Sequence, residues 1–371
     1  MKICYISNSA SPSRNASSLQ IAKLCEYISK NGHEVKLILP GTGLKKNFFK
    51  FYGIKFRYRI KKLNLFKKFP TGFYYYLYSF VAIIKSNINK QDLYITRNFF
   101  TSLILSIFKK KHILEIHDDI NIEGRIVQFL VKYFRILNSN FLIKIVTTTH
   151  TLRKKYEQYG IDKKKIFTFH NASSLVSTFK KSKKKKSLKI GYFGSIFKSR
   201  GIDMIIKLSI LDKKNNYLIY GGSLEEIKDI KKNVKNKNIK FMPYLPYSEV
   251  SKKLKNIDIC ILPYTSKITV SGNVGDISKF TSPLKIFDYM KLGKLIISSN
   301  LNVLKEILAD KKNCLLINNY KDEYEWQKTI SSVSKNFDRF DIIRKNAFDY
   351  ANKFDLNWRV KKLISIEKTS K

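Results

Sequence analysis

Acidic residues are scarce in this chain. Against 72 Lys and Arg, its 371 residues carry only 28 Asp and Glu, for a formal net charge of +44. No acid at all stands between Glu34 and Asp92. A field of this sign attracts polyanions, whether nucleic acid, anionic lipid or phosphorylated small molecules. Lys, Asn and Ile are abundant throughout, so charge alone does not choose among them. Cysteine is also sparse. Cys4, Cys25, Cys260 and Cys314 stand far apart and form no CxxC pair, which excludes a disulfide framework and a zinc site and points to reduced thiols in a core. The longest apolar stretch, Phe73 to Ile84, falls well short of the ~20 residues that cross a bilayer. The opening run Met1 to Ser7 is too short for a signal peptide. No GxGxxG dinucleotide fingerprint and no solenoid repeat occurs. These absences place the expected protein in the cytoplasm.

What is present is alternation. A short apolar run, Lys2 to Ser7, leads through a polar loop into a helical pattern over Ser18–Asn31. Gly32 ends that pattern before a second strand, Glu34–Pro40. Further strand candidates are Leu93–Thr96, Ile113–Ile116, Ile143–Thr147 and Ile166–Phe169. After the basic tract Lys180–Lys186, which reads as a solvated linker, they resume at Leu188–Phe193, Tyr217–Tyr220, Ile239–Met242, Ile257–Leu262, Leu295–Ser298 and Cys314–Ile317. Helical patterns between strands imply parallel sheets and right-handed crossovers. We expect two doubly wound α/β domains, 1–178 and 187–352. The amphipathic C-terminal segment 353–371 is expected to pack back on the first.

Four stretches carry candidate chemistry. Ser282-Pro283-Leu284-Lys285 opens a helix, with Asp288 about one turn further on. Free N–H groups and the helix dipole attract phosphate there, Lys285 adds a cation, and a carboxylate can accept ribose hydroxyls. An ordinary capped helix would show the same apolar spacing. The turn after Leu188–Phe193 holds Gly194, Ser195 and Arg200, where a backbone approach and a bidentate cation can meet one anion. Tyr244 and Tyr264 follow two more strands, and the loop Ser266–Thr281 has the polarity of a cover. In the first half, His117-Asp118-Asp119 ends a strand, placed either for acid–base work or as a hydrogen-bonded loop. Three adjacent ligands converge poorly on one ion, so no metal is expected. Finally, Lys45–Phe80 interleaves Arg57, Arg59, Lys61, Lys62, Lys67 and Lys68 with aromatics. That composition suits a membrane interface or single-stranded nucleic acid, unless the aromatics fill the core.

Taken together, these motifs resemble the family-four, retaining, nucleotide-sugar-dependent glycosyltransferases of GT-B fold. The resemblance runs from Ile3 through Gly32-His33-Glu34-Val35, Gly194–Asp203, Asp258–Tyr264, Ser282–Gly293, Lys305–Leu308 and Asn313–Ile317 to Phe354–Trp358. It implies two Rossmann-like domains facing a central cleft, with the donor on the second. Arg200 and Lys285 would neutralise a diphosphate, Ser282 to Leu284 would offer N–H groups, Asp288 would bind ribose, and Gly194, Ser195, Tyr244 and Tyr264 would line the donor. His117 and Asp118 would serve the reacting centre. Asn15, Ser18 and Arg97, with the basic residues of the aromatic tract, would face acceptor or membrane. Two positions depart from the family pattern. Phe280 stands where a first glutamate is common, and Ser195 where an arginine is common.

The expectation is therefore a hexosyltransferase that needs no metal or other cofactor. It would move a sugar, with retention, to a lipid-linked or polysaccharide acceptor of the cell envelope at the inner membrane face. An anionic membrane is the expected partner and nucleic acid is not. An epimerase of the same fold, or a non-catalytic basic binder, are the alternatives.

Overall fold

The computed structural model describes residues 1–65, 71–269, 276 and 278–365. The chain divides into two compact units, Met1–His170 with the segment from Leu356 onward, and Asn171–Asp355.

Unit 1 is a seven-stranded parallel sheet in the order β3-β2-β1-β4-β5-β6-β7. Its strands are β1 (Lys2–Ile6), β2 (Glu34–Pro40), β3 (Arg59–Leu63), β4 (Leu93–Thr96), β5 (His112–Ile116), β6 (Leu142–Thr147) and β7 (Ile166–Thr168). Between them run α1 (Ala16–Lys30), α2 (Phe48–Tyr52), α3 (Thr71–Lys85), α4 (Phe99–Ile107), α5 (Arg125–Tyr133) and α6 (His150–Gln158). The central strands read as continuous apolar runs because both faces are covered: Ile3, Cys4, Tyr5 and Ile6 are all buried. Strand β3 was not foreseen. Arg-Ile-Lys-Lys-Leu looks like part of a basic tract, yet at the sheet's edge a strand tolerates such charges and is protected by them from pairing with another chain.

Much of the aromatic tract is core. Phe48, Phe51, Tyr52, Tyr58 and Tyr78 are buried, whereas Phe56, Phe73 and Phe80 are exposed. Arg57, Arg59 and Lys62 are exposed, and Lys67 and Lys68 lie outside the described residues.

Unit 2 repeats the plan with six parallel strands in the order β10-β9-β8-β11-β12-β13. They are β8 (Lys189–Phe193), β9 (Asn216–Tyr220), β10 (Ile239–Met242), β11 (Ile259–Leu262), β12 (Leu295–Ser299) and β13 (Leu315–Ile317). The helices are α7 (Ile202–Leu211), α8 (Leu224–Lys232), α9 (Tyr247–Lys255), α10 (Leu284–Lys291), α11 (Glu323–Lys335) and α12 (Asp341–Lys353). Then α13 (Leu356–Ile364) packs on α1 of unit 1. There Lys144 Nζ donates to the carbonyls of Lys362, Leu363 and Ser365, capping the helix end.

The basic tract 180–186 is not the junction, which falls at 170/171. Two acids hold it to unit 2: Asp341 accepts the Ser182 N–H at 2.9 Å, and Asp258 lies 2.5 Å from Lys185 Nζ. All four cysteines are buried and unpaired. Among the described residues no helix is long and apolar enough to cross a membrane.

Candidate functional site

In unit 2 the chain runs β8→β9→β10 toward one edge and β11→β12→β13 toward the other, so direction reverses between β8 and β11. Ligands of open parallel sheets bind beyond the carboxyl ends of strands at such a switch point. The segments leaving β8 and β11 are Gly194–Arg200 and Pro263–Thr269.

Gly194 has φ +145°, a conformation that side chains resist, and a Cβ built there would come 2.3 Å from Lys285 Nζ. Lys285, in the first turn of α10, sits with Nζ 4.0 Å from the ring centroid of Tyr192 and 5.5 Å from that of Tyr264. Arg200 places its guanidinium carbon 5.2 Å from the same Tyr264 ring. Its Nη2 donates to the Thr269 carbonyl at 3.1 Å, while its Nε is shielded and has no hydrogen-bond partner. Among the described residues no carboxylate pairs with either cation. Desolvation, then the charge of Arg200, lowers the Lys285 ammonium well below its ordinary value. Two unpaired, partly desolvated cations against one aromatic ring make a strongly anion-attracting site.

The remaining sequence candidates fall around this pair in different ways. Pro283 is the N-cap of α10, and Leu284 is its first residue. Ser282 is buried with its Oγ unpartnered, and its carbonyl accepts from Asn171 Nδ2 at 2.6 Å. Ser195 turns its carbonyl to the Tyr192 hydroxyl at 2.9 Å. Tyr264 is buried. Tyr244 is half-buried after β10, its N–H bonded to the Gly222 carbonyl. Asp288 is buried with Oδ1 accepting from Ser173 Oγ at 2.5 Å and Tyr247 OH at 2.9 Å. It thus ties the entry segment of unit 2 to α9 and α10, a bracing role that its sequence position did not suggest. Of the expected cover, 270–275 and 277 lie outside the described residues. What is described is anchored, with Asp276 accepting the N–H groups of Ile268 and Ser278. Tyr192, Tyr247, Ser173 and Thr269 went unnoticed because aromatics and hydroxyls in apolar or turn contexts look like packing.

Unit 1 has a second constellation around β5. Glu115 is fully buried and takes Arg359 Nη2 of α13 at 2.8 Å, the Tyr5 hydroxyl at 2.9 Å and Arg97 Nε at 3.4 Å. The two arginines hold its carboxyl far below the usual carboxylate range against the opposing effect of burial. Arg97 also donates to Gln20, and Arg359 to the His170 carbonyl. Sequence reasoning missed Glu115 and Arg359; a lone Glu inside an apolar strand was the available signal.

His117 follows, half-buried, with Nε2 shielded and unpartnered. Desolvation, then the charge of Arg97, pushes its pKa well down, which favours the neutral imidazole. Asp118 is exposed. Asn15 caps α1 without a side-chain hydrogen bond. Ser18 is buried, its hydroxyl donating to the Ala10 carbonyl at 2.9 Å, so it braces the loop. Lys61 Nζ leans on the Lys85 carbonyl at 3.5 Å. Among the described residues no three His, Cys, Asp or Glu side chains are placed to hold a metal ion.

Residues 173–350 match the family described as glycosyl transferases group 1. Over the whole chain the fold is that of solved GT-B structures. HepE of Anabaena in complex with UDP-glucose matches at TM-score 0.68 and 14% identity, covering 98% of each chain. Sucrose-phosphate synthase of Thermosynechococcus elongatus matches at 0.71 and 11%, covering 98% of each. A glycosyltransferase of Rickettsia africae matches at 0.69 and 15%, covering 100% of each. No curated protein matches the sequence.

Proposed function

We infer that this chain, a GT-B protein whose residues 173–350 match the glycosyl transferases group 1 family, transfers a hexosyl group from a nucleoside-diphosphate sugar to a hydroxyl acceptor. The observation that carries the reading is the convergence of Lys285 and Arg200 at the Gly194 turn, unpaired by any described carboxylate.

As the bond from the anomeric carbon to the diphosphate breaks, negative charge collects on the leaving phosphate, and the acceptor hydroxyl gives its proton to an oxygen of that phosphate as the new glycosidic bond forms. Two preorganised cations and the first N–H groups of α10 stabilise that charge where it develops, which is the larger part of such catalysis. On this reading no metal is required, and the configuration of the sugar is retained. Asp288 receives the ribose only by sharing the carboxylate that Ser173 and Tyr247 already engage. Ser282 Oγ, shielded and without a partner, is a further donor toward the nucleotide. Neutral His117, with a free Nε2, is the group in unit 1 suited to hydrogen-bond the acceptor. The acceptor we propose is lipid-linked or polysaccharide, met at the membrane face, because the excess positive charge suits an anionic surface.

The test is thermal stabilisation by UDP, GDP, ADP, CMP and TDP. A nucleotide at a hundredfold its dissociation constant adds about 2.7 kcal/mol. One nucleotide stabilising the protein names the donor base. No response to any of them removes the donor site and the reading with it.

A further inference from the structure

Acids are few in this chain, yet four of the 28 fall between Glu115 and Glu123, where β5 leaves the sheet of unit 1 at its carboxyl end. Two of the four are committed inside the unit. Glu115 is held by Arg359, Arg97 and Tyr5, and Asp119 accepts from the Tyr159 hydroxyl and the Asn121 N–H beside Lys155. The other two are not. The carboxylates of Asp118 and Glu123 have no hydrogen-bond or ion-pair partner among the described residues.

That is unexpected in a chain with 72 cations, whose field favours the charged form of any acid. Desolvation nevertheless raises both groups. Glu123 is half-buried and also feels the charge of Asp118. Asp118 is open to solvent on one side, and desolvation on the others outweighs the opposing charge of Arg97. Arg97 is itself engaged, with Nε on Glu115 and Nη1 on Gln20. Two neighbouring like charges without donors contribute nothing to the stability of the unit. A ligand that brings donors would relieve both.

Unpartnered donors gather at the same end. Asn98 follows β4, the neighbour of β5, and is 3% exposed. Its Oδ1 accepts from the Thr101 N–H, capping α4, and from the Tyr75 hydroxyl at 2.8 Å. Its Nδ2 is shielded and has no partner, an arrangement that buried amides rarely tolerate. Tyr75, near the start of α3, is within reach of the charge of Glu123. His117 Nε2, also shielded and unpartnered, adjoins Asp118. Carboxylates that accept, set beside an amide that donates, match the hydroxyls of a sugar ring. A phosphate or carboxylate would meet like charges here.

We propose that Asp118 and Glu123, with Tyr75 and Asn98, set acceptor specificity: they hold adjacent hydroxyls of a neutral saccharide and turn away sugars that carry phosphate or carboxylate. This specificity rests on the transferase reading and names the terminal unit of its acceptor. The donor site in unit 2 plays no part in it.

The experiment is saturation-transfer NMR of the full chain with methyl glucoside, methyl galactoside, methyl mannoside, glucosamine, glucose 6-phosphate and glucuronic acid, with and without the stabilising nucleotide. Wild type should bind at least one neutral glycoside and neither anion. Glu123→Gln should weaken that glycoside about tenfold, as when a charge-assisted hydrogen bond is lost, at an unchanged or raised thermal midpoint. Asp118→Asn/Glu123→Gln should also lose the discrimination against glucose 6-phosphate, which a merely structural role would not alter. Equal binding of neutral and anionic sugars by wild type overturns the proposal, as does undiminished glycoside binding in Glu123→Gln. A preference for glucosamine overturns it too, because the pair would then be a cation site. If no saccharide binds, the specificity falls, while nucleotide stabilisation still judges the transferase reading.

Discussion

Lys285 occupies the space that a side chain on residue 194 would need, its Nζ 2.3 Å from the ideal Cβ position of Gly194. The glycine therefore does two things. It takes up φ +145°, and it lets an ammonium group lie against the strand-to-helix turn. Gly194→Ala should displace the lysine, whose flexible end yields more easily than backbone, and strain the turn. We expect a protein that folds with a modestly lower midpoint but gains no stability from the nucleotide that stabilises wild type. Retained nucleotide stabilisation would show that Lys285 reaches the phosphate from elsewhere.

Lys285→Met should separate binding from stability. The ammonium is desolvated, lies near Arg200 and has no acid partner among the described residues, so its removal should leave the unliganded protein as stable or slightly more so. Transfer should fall by about 10²–10³-fold, as when one preorganised donor is lost from an oxyanion site. A lysine whose folded pKa is lowered holds its proton less firmly, and a bound diphosphate tightens that hold. Nucleotide binding at alkaline pH should therefore take up protons. Calorimetry in buffers of differing ionisation enthalpy would detect the uptake in wild type and not in Lys285→Met. Equal uptake in both would assign the proton to another group.

The alternation of strands was readable because each central strand is buried on both faces and so carries an uninterrupted apolar run, as Leu93–Thr96 and Ile259–Leu262 do. Strand β3 was not, because an edge strand of Arg, Lys and one buried Leu has no such signature. At the site, Lys285, Arg200 and Gly194 could be found because turn and charge signals are local in sequence. The partners that decide their chemistry, Tyr192 beneath Lys285 and Ser173 and Tyr247 on Asp288, come from distant segments. Asp288 shows the limit well: its spacing suggests a ligand contact, and only the fold shows that its carboxylate also holds Ser173 and Tyr247.

Glu115 fastens the C-terminal helix to unit 1 through Arg359 at 2.8 Å while also receiving Arg97 and Tyr5. Glu115→Gln would leave two arginines without a counter-charge in a buried setting, a loss of about 3–5 kcal/mol. Arg359→Met should be milder, because its apolar stem is kept while one cation leaves. In both variants α13 should become the first site of limited proteolysis, with nucleotide stabilisation by unit 2 intact where the protein folds. Unchanged proteolysis would mean that α13 is held by Lys144 and apolar packing alone.

Unit 1 should also be the acid-labile half, and His112 supplies the reason. It is fully buried in β5, its Nε2 2.8 Å from Ser102 Oγ and its Nδ1 2.8 Å from the Lys110 carbonyl. Burial lowers its pKa from 6.5 to about 4. The charged form is thus disfavoured in the folded chain. Stability is fully present above the unfolded value of about 6.5 and falls as pH drops from there toward 4, by about 3 kcal/mol over that window. Glu115, with a lowered pKa, adds a loss that begins only below its unfolded value of 4.5. Denaturant titrations at pH 7, 6 and 5 should show the decline starting near 6.5 in wild type. His112→Asn, which keeps a hydrogen-bonding side chain but does not titrate, should start lower in stability and decline less steeply than wild type between pH 6.5 and 5, the remaining slope coming from His117, whose pKa is also lowered. A decline in the variant that matches wild type between pH 6.5 and 5 would transfer the acid sensitivity to another group.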